Sequence, residues 1–250
     1  MTQSIEWQLA TIKAVWDETP RVKSLTLALP NWVQHDPGQH YDIRLTAPDG
    51  YQAQRSYSIA SAPERTGEVD LTIELIKGGE VSSYLFDVLG PGDRLEVRGP
   101  IGGYFVWDAH RDEPLLLVAA GSGIVPLMAM LRHRQAIHCD VPARLLYSSR
   151  SYEEIIYRQD LEQLAAEGEG LAVFHTLTRS QPDGWQGYRR RIDRQMLDEV
   201  IHPLGAGVQV FICGPTMMVE TVADALVELG IDPRQIRTER FGPSGDTKGA

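Results

Sequence analysis

Cysteine is scarce in this 250-residue chain, which contains only Cys139 and Cys213. Four cysteine thiolates normally hold an iron–sulfur cluster, so these two residues cannot bind a cysteine-ligated cluster by themselves. The seven histidines show no spacing with cysteine or acidic residues that resembles a zinc site. We therefore expect no metal centre in this chain.

Long apolar runs and an excess of positive charge are also missing. No run of roughly 18 apolar residues is present, which excludes a sequence pattern typical of a membrane-spanning helix. The first seven residues lack the basic and apolar regions of a signal peptide. With 34 acidic and 24 basic side chains, the formal net charge is −10, which argues against nucleic acid or an anionic membrane as the main partner. We expect a cytoplasmic protein.

The first part of the chain has the pattern of an antiparallel β domain. Six short segments alternate β-branched or apolar residues with polar ones, and turn signals separate them. The predicted strands are Trp7–Val15, Val22–Leu29, His40–Leu45, Arg55–Ile59, Val69–Ile76 and Arg94–Arg98, with one helical segment at Ser82–Leu89. Short strands with so little helix predict an antiparallel β-barrel.

The pattern changes near residue 110, after which predicted strands and helices alternate. The strands are Leu115–Ala120, Ala143–Ser148, Leu171–Leu177 and Val208–Cys213, and the helices are Pro126–Gln135, Tyr152–Glu167, Asp193–Val200 and Thr216–Leu229. Such alternation predicts a parallel sheet with helices on both faces. We therefore expect two domains, an N-terminal antiparallel β-barrel at residues 1–109 and a C-terminal α/β parallel-sheet domain at residues 110–250.

The glycine turn Gly121-Ser122-Gly123 follows an apolar run and precedes a helical pattern. A strand, a glycine turn and a helix N-terminus together form an anion site, because unpaired backbone N–H groups and the helix dipole face the same point. Pro126 suits the first helical turn, where no N–H is needed. The motif is G-x-G-x-x-P and departs at its last position from the G-x-G-x-x-G dinucleotide fingerprint.

Two motifs in the first domain also suit phosphate. In R-S-Y-S-I, the arginine and the tyrosine fall on one strand face and the serines on the other. The arginine fork suits phosphate, and the tyrosine offers a flat aromatic face. A second glycine turn, at residues 78–82, opens a helix with Ser82 near its N-cap and is another candidate phosphate cradle. Each motif alone fits an ordinary hairpin turn equally well.

These motifs, together with G-P-I-G-G-Y-F and C-G-P, occur in the order found in the ferredoxin–NADP⁺ reductase superfamily, which the chain resembles from about Trp7 to Phe241. The resemblance implies an FAD-binding antiparallel barrel followed by an NAD(P)-binding α/β domain. It implies that Arg55 binds the flavin pyrophosphate and that Ser58 lies near flavin N5. The residues implied for the flavin are Arg55, Ser56, Tyr57, Ser58, Ile59, Gly79, Val81 and Ser82.

The same resemblance assigns a nicotinamide nucleotide to the second domain. The residues implied are Gly121, Ser122, Gly123 and Pro126 for the pyrophosphate, with Thr178, Arg179, Cys213, Gly214 and Pro215 as further contacts. Cys213 is implied to lie near the nicotinamide C4 and to pack the hydride path. Its alternative role is that of a small buried residue at a strand end.

The choice between NADPH and NADH is expected to depend on residues after the second strand of this domain. Ser149, Arg150 and Tyr157 resemble the arrangement in NADP-preferring relatives, because arginine and hydroxyl groups accommodate a phosphate. Alternatively, Arg150 is a solvated loop charge and Glu153 or Glu154 meets the adenosine ribose. We expect NADPH, with NADH as the less favoured nucleotide.

The end of the chain differs from that of the plant-type reductases in the superfamily that it resembles. Those reductases end in an aromatic residue that covers the flavin. Here Phe241 is followed by nine more residues, 242–250. Phe241 is still expected to approach the flavin, and Glu239 to make polar or proton contacts nearby. The candidate catalytic residues are therefore Ser58, Cys213 and Glu239.

The resemblance implies a flavoprotein reductase that passes a hydride from NADPH to bound FAD. The electrons then go to a separate acceptor, either a ferredoxin- or flavodoxin-like protein, an oxygenase component or a small molecule. The basic run Arg189-Arg190-Arg191 either steers an acidic electron carrier or is a solvated surface. Two alternative functions are a flavin reductase that uses flavin as a substrate and a non-catalytic electron-transfer subunit of a larger complex.

Overall fold

The computed structural model describes residues 5–167, 170–205 and 207–241. The chain divides into two compact units. The first contains residues up to 111 together with 125–139 and 156–160, and the second contains 112–124, 140–155 and the described residues from 161 onward.

The first unit is built on a six-stranded antiparallel sheet with the order β4-β3-β6-β1-β2-β5. An isolated antiparallel bridge between Ile59 and Leu71 joins the end of one edge strand to the other, so the two sheet edges approach each other as in a barrel. The elements are β1 (Gln8–Thr19), β2 (Val22–Ala28), β3 (His40–Thr46), β4 (Gln52–Ser58), β5 (Glu68–Glu74), α1 (Glu80–Asp87) and β6 (Arg94–Ile101).

Residues two apart along these strands point to the same side, which separates an apolar face from a polar one. The apolar face forms a single buried core, whose members include Ile12, Leu25, Leu27, Ile43, Leu71, Ile73, Leu95 and Val97. On the opposite face of β2 and β5, Thr26 donates to Asp70 at 2.6 Å, and the Ser24 and Thr72 hydroxyls lie 2.7 Å apart. The predicted antiparallel domain is therefore confirmed.

The second unit is built on a five-stranded parallel sheet with the order β11-β10-β7-β8-β9. The chain leaves the central strand β7 toward β8 and later returns to its other side at β10, which makes the carboxyl ends of β7 and β10 a topological switch point. The strands are β7 (Leu115–Ala120), β8 (Ala143–Ser149), β9 (Leu171–Leu177), β10 (Gln209–Gly214) and β11 (Ile236–Arg240), and the helices of this half of the chain are α2 (Ile124–Ala136), α3 (Arg158–Glu167), α4 (Arg194–Ile201) and α5 (Thr216–Glu228).

The sheet of the second unit is buried by apolar side chains of α4 and α5. Val118 and Ile212 of the strands share one core with Met196 and Val200 of α4 and Leu226 of α5. Helix α4 begins where the Asp193 carboxylate accepts the Met196 backbone N–H at 2.9 Å. The predicted parallel α/β architecture is confirmed.

Two predicted elements differ in the structure. The helix expected from Tyr152 begins only at Arg158, because residues 152–157 form turns that end with Tyr157 at a left-handed φ of 57°. Strand β11 was not predicted, because its five residues are mostly charged or polar and show no apolar run. Among the residues that the model describes, no helix is both long enough and apolar enough to cross a membrane.

Candidate functional sites

Strand β4 carries the candidate flavin residues and pairs with β3. Arg55 lies opposite Ile43 and Tyr57 opposite Tyr41, whereas Ser56 lies opposite Asp42, so the arginine and tyrosine share one face as the sequence predicts. Arg55 is exposed, and its guanidinium donates to the Gln54 carbonyl at 2.6 Å. Burial raises the pKa of Tyr57 to about 12, which keeps its phenol neutral.

The two serines of this strand have different surroundings. Ser58 is only 5% exposed, and its Oγ has no hydrogen-bond partner among the described residues. An unpaired buried hydroxyl costs about 1–3 kcal/mol, so this group is suited to a ligand that completes the bond. The Ser56 hydroxyl instead donates to Asp42 Oδ1 at 2.6 Å, and Arg98 donates to Asp42 Oδ2 at 2.7 Å. The Ser56 hydroxyl thus donates its proton to Asp42, and its contact with the flavin stays a prediction.

The glycine turn before α1 is held together by Ser82, which lies near the N-cap, as predicted. The N-cap is Gly79, and no side chain caps it. Ser82 is the third helical residue, and its Oγ donates to the Gly79 carbonyl at 3.3 Å and accepts from the Ile76 N–H at 3.2 Å. The Gly79 N–H is used by the Ile76 carbonyl. The N–H groups of Val81 and Ser82 lie in the first helical turn, where backbone donors lack intrahelical acceptors, so both stay candidate phosphate donors.

The glycine turn after β7 is a single 3₁₀ turn, Gly121–Gly123, that leads directly into α2. Gly121 has a φ of +55°, a conformation that favours glycine. A Cβ atom on Gly123 would lie 2.1 Å from the Cys213 carbonyl oxygen, so only glycine allows this approach to the end of β10. Pro126 is in the first turn of α2, as predicted. We call residues 121–123 the nucleotide loop.

Cys213 and Glu239 are neighbours on β10 and β11, next to the nucleotide loop. Burial and the Glu239 carboxylate raise the pKa of the Cys213 thiol well above its usual range, so the thiol stays protonated and is a poor nucleophile. Burial also raises the pKa of Glu239 to about 7, and its Oε2 is buried with no hydrogen-bond partner among the described residues. Glu239 can therefore hold or release a proton near neutral pH.

The chain end and the C-G-P turn are joined by a backbone bond. The Phe241 N–H donates to the Gly214 carbonyl at 2.9 Å, which places Phe241 beside the segment that contains Pro215. The structure thus brings together the predicted residues from the end of β10 and the end of β11. The predicted end of the chain after Phe241, residues 242–250, lies outside the described residues.

The carboxyl ends of β8 and β9 bring together a second predicted set. The Thr178 N–H donates to the Ser149 carbonyl at 3.0 Å, and the Arg179 N–H donates to the Arg150 carbonyl at 2.9 Å. Both arginines are exposed, whereas Ser149 is 5% exposed and its Oγ has no partner in the part of the chain that is described. Two exposed arginine residues and a buried hydroxyl therefore lie at the carboxyl ends of these two strands.

Tyr157, the remaining residue predicted for nucleotide choice, belongs to the first unit. It is 2% exposed within the first unit, where its hydroxyl is hydrogen-bonded to the Thr72 hydroxyl and its ring lies 5.1 Å from the Arg132 guanidinium. Burial raises the pKa of its phenol. The Tyr157 hydroxyl therefore already has a buried partner, and its contact with the nucleotide stays a prediction.

The basic run Arg189-Arg190-Arg191 is partly engaged by its own unit. Arg189 donates to the Trp185 carbonyl at 2.8 Å, and Arg190 forms an ion pair with Asp193 at 2.5 Å. The Arg190–Asp193 ion pair reduces the net positive charge that the run presents. Both contacts fit a solvated surface better than a strong steering patch.

The sequence did not point to Asp42 and Arg98. Asp42 of β3 accepts hydrogen bonds from Ser56 of β4 and from Arg98 of β6, and these contacts fix the polar face of β4. The sequence held one weak signal for them. Both are charged residues within predicted strands, where a charged side chain needs a partner. Their pairing joins β3 and β6, 56 residues apart in sequence, and no local pattern reveals it.

Comparisons with known proteins agree with this geometry. Residues 10–106 match the family model described as the oxidoreductase FAD-binding domain, and residues 117–224 match the oxidoreductase NAD-binding domain. The FAD/NAD-binding domain of nitric oxide dioxygenase from Vibrio cholerae is similar in structure, with a TM-score of 0.84 and 25% identity over 94% of this chain and 99% of that one.

Two curated relatives extend the comparison. The chain is 35% identical over 211 residues to ferredoxin–NADP reductase B of Sorangium cellulosum, which covers 82% of this chain and 85% of that protein. It is 34% identical over 209 residues to the glycine betaine monooxygenase reductase subunit of Pseudomonas aeruginosa, covering 83% of this chain but 56% of that protein. The chain thus spans little more than half the length of the latter relative. The matched FAD and NAD domains and these relatives show that the chain belongs to the ferredoxin–NADP⁺ reductase superfamily.

Proposed function

We propose that this protein is an FAD-dependent reductase that takes a hydride from NADPH and passes electrons to a separate acceptor. The observation that carries the proposal is that one chain contains an FAD-binding domain at residues 10–106 and an NAD-binding domain at residues 117–224. Within the described residues, each domain also has a buried serine hydroxyl without a hydrogen-bond partner, Ser58 and Ser149, at the residues implied for its cofactor. The domain limits 1–109 and 110–250 remain part of this proposal.

The residues of the first domain fit FAD. The Arg55 guanidinium would pair with the pyrophosphate, since arginine binds phosphate oxygens through two parallel N–H groups. The neutral ring of Tyr57 would lie against the flavin, and Ser58 would donate its free hydroxyl to it. The N–H groups of Val81 and Ser82 would complete the phosphate contacts, with Gly79 and Ile59 shaping the backbone. Bound FAD supplies the chemistry of accepting a hydride and releasing electrons in one- or two-electron steps.

The residues of the second domain fit a nicotinamide nucleotide. The nucleotide loop would hold the pyrophosphate through backbone N–H groups, with Pro126 fixing the start of α2. Cys213, whose side chain is fully buried and uncharged, would pack the reacting end and exclude water. Glu239, whose pKa is raised to about 7 by burial, would hold or release a proton beside it. Gly214, Pro215 and Phe241 would line the same edge.

The preference for NADPH is supported by the set at the ends of β8 and β9. Arg150 and Arg179 are joined through their backbones, and both guanidinium groups are exposed. A 2′-phosphate is a better partner for two such groups than a ribose hydroxyl. Ser149 and Thr178 would add hydroxyl contacts.

We further propose that the acceptor is a separate protein in the cytoplasm, either ferredoxin- or flavodoxin-like or an oxygenase component. The support comes from the relatives, one of which is a ferredoxin–NADP reductase and another a reductase subunit of a glycine betaine monooxygenase. Once a carrier protein is known, charge reversal at Arg189, Arg190 and Arg191 tests whether this run contributes to its binding.

The experiment that tests this function starts from the purified protein. Retained FAD and turnover of NADPH with an artificial electron acceptor are the expected results. A colourless protein that reduces added free flavin would instead show the flavin-reductase alternative. A protein with bound flavin and no turnover with NADPH or NADH would show a non-catalytic subunit.

A further inference from the structure

Tyr147 lies under the nucleotide loop and holds it by one hydrogen bond. Tyr147 is on β8, fully buried, in register with Ala119 of β7 and His175 of β9. Its hydroxyl donates to the carbonyl oxygen of Gly121 at 3.1 Å. The same carbonyl accepts the backbone N–H of Ile124 as part of the 3₁₀ turn. Both bonds fix the direction of the first carbonyl of the loop.

The direction of this carbonyl determines the direction of the next N–H. A peptide unit is planar and trans, so its C=O and N–H groups point to opposite sides. Because Tyr147 holds the Gly121 carbonyl toward the sheet, the Ser122 N–H in the same peptide plane points away from it. This is the side from which an anion approaches a strand–turn–helix site.

The surroundings of Tyr147 keep its ring in place. Its ring centroid lies 5.8 Å from that of His175, which in turn lies 6.4 Å from that of Trp185. The Trp185 Nε1 donates to the Tyr188 carbonyl at 3.0 Å. Burial lowers the pKa of His175 to about 4, so the imidazole is neutral and does not charge this cluster near physiological pH.

The other end of the loop has a separate support. Gly123 rests on the Cys213 carbonyl so closely that a Cβ atom would lie 2.1 Å from it. At Gly121, which has a left-handed φ, a Cβ atom would meet no atom of the described residues within 4 Å, so this side of the residue is not closely packed. The Tyr147 hydroxyl therefore supplies, at Gly121, the restraint that close packing supplies at Gly123.

We propose that Tyr147 is a positioning residue for nicotinamide nucleotide binding, whose hydroxyl orients the nucleotide loop toward the pyrophosphate. The inference rests on the proposed function, because it requires that this loop binds the nucleotide. Tyr147 does not touch the nucleotide in this proposal. It acts through the Gly121–Ser122 peptide.

The test compares Tyr147→Phe with the control Tyr188→Phe in the FAD-loaded enzyme. Both substitutions remove one hydroxyl, and that of Tyr188 donates to Glu199 at 2.6 Å, away from the loop. Binding of NADP⁺ and NAD⁺ to the oxidised enzyme is measured by calorimetry, which needs no turnover. For Tyr147→Phe we expect the Kd of the preferred nucleotide to rise about three- to tenfold, the effect of one lost hydrogen bond.

The same variant separates positioning from simple stabilisation. Phenylalanine fills nearly the same volume, so FAD content and Tm should stay close to those of the wild type. The limiting rate of flavin reduction at saturating nucleotide should also be unchanged, with the whole effect in Kd and KM. Tyr188→Phe should leave the nucleotide Kd unchanged.

Two results would overturn the inference, and they are distinguishable. If the wild type binds the nucleotide and Tyr147→Phe binds it equally well, Tyr147 does not position the loop and the proposed function stands. If the wild type binds neither NADP⁺ nor NAD⁺, the proposed function and the inference both fail.

Discussion

The two cofactor sites proposed for this protein use different parts of the chain for recognition. In the first unit, strand β4 presents side chains, namely the exposed Arg55, the neutral Tyr57 and the Ser58 hydroxyl, which has no partner among the described residues. The nucleotide loop of the second unit presents backbone, and its side chains are almost absent. The first site should therefore still bind its cofactor after small changes of backbone shape. The second site should lose nucleotide binding when a single carbon atom is added to the loop.

Gly123→Ala is expected to have the largest effect. The new Cβ would overlap the Cys213 carbonyl oxygen at 2.1 Å, and neither backbone can move without disturbing the loop or β10. Overpacking of a rigid contact costs about 3 kcal/mol or more, so nucleotide affinity should fall at least about 100-fold. FAD content should be unchanged. Gly90→Ala, where no atom lies within 4 Å of the new Cβ, is the matched control and should bind nucleotide normally.

Arg55→Ala should damage the flavin site and spare the nucleotide site. Loss of a charge-assisted bond to phosphate costs about 1.5–3 kcal/mol, so the Kd for FAD should rise by about 10- to 100-fold. The measurement is FAD retained after dialysis, with NADP⁺ binding determined in parallel. Arg94→Ala removes another exposed arginine of the same sheet and should retain FAD. Full retention of FAD by Arg55→Ala would show that the pyrophosphate does not bind here.

Glu239 should give the protein a pH-dependent stability. Its folded pKa of about 7 lies above the unfolded value of 4.5, so the folded state binds the proton more tightly. Stability contributed by the protonated form is present below pH 4.5 and is lost as the pH rises toward 7, by roughly 2 kcal/mol after allowance for partial exposure.

Glu239→Gln tests this pH dependence. The variant should lose less Tm than the wild type between pH 5 and pH 8, and it should be the more stable of the two at pH 8. Glu220→Gln, a substitution at an exposed site on α5, should follow the wild type. Parallel curves for the wild type and Glu239→Gln would show that the carboxyl group is not shifted.

Among these substitutions, Arg150→Ala should have the smallest effect. It should change the preference between NADPH and NADH. Removing one of two exposed guanidinium groups should lower kcat/KM for NADPH by about fivefold and leave that for NADH nearly unchanged, since screened surface charges contribute about 1 kcal/mol. Steady-state kinetics with both nucleotides measures the ratio. A wild-type preference for NADH would contradict the proposed role of Arg150 and Arg179.

Much of both sites could be located from the sequence because each depends on local chemistry. The nucleotide loop follows an apolar run and precedes a helical pattern, and these signals suffice to place Gly121 and Gly123 at a strand end. The alternation in R-S-Y-S-I likewise separates Arg55 and Tyr57 from the serines. The parallel and antiparallel architectures follow from the same short-range patterns.

What could not be predicted depends on distant partners. Tyr157 has the residue type of a nucleotide contact, but Thr72, 85 residues earlier in the chain, takes its hydroxyl. Ser56 is similarly engaged by Asp42. Strand β11 exists because β10 offers it a parallel partner, from Val210 opposite Ile236 to Gly214 opposite Arg240, and its own residues carry no strand pattern.

Anaerobic titration of the purified protein with NADPH tests the central claim most directly, with Gly123→Ala titrated beside the wild type. The visible flavin absorbance of the wild type should decrease stoichiometrically with the NADPH added. Gly123→Ala should contain the same flavin and bleach much more slowly at the same sub-saturating NADPH concentrations. Flavin that stays oxidised in the wild type, with NADPH and with NADH, or bleaching of the variant at the wild-type rate, would contradict this claim.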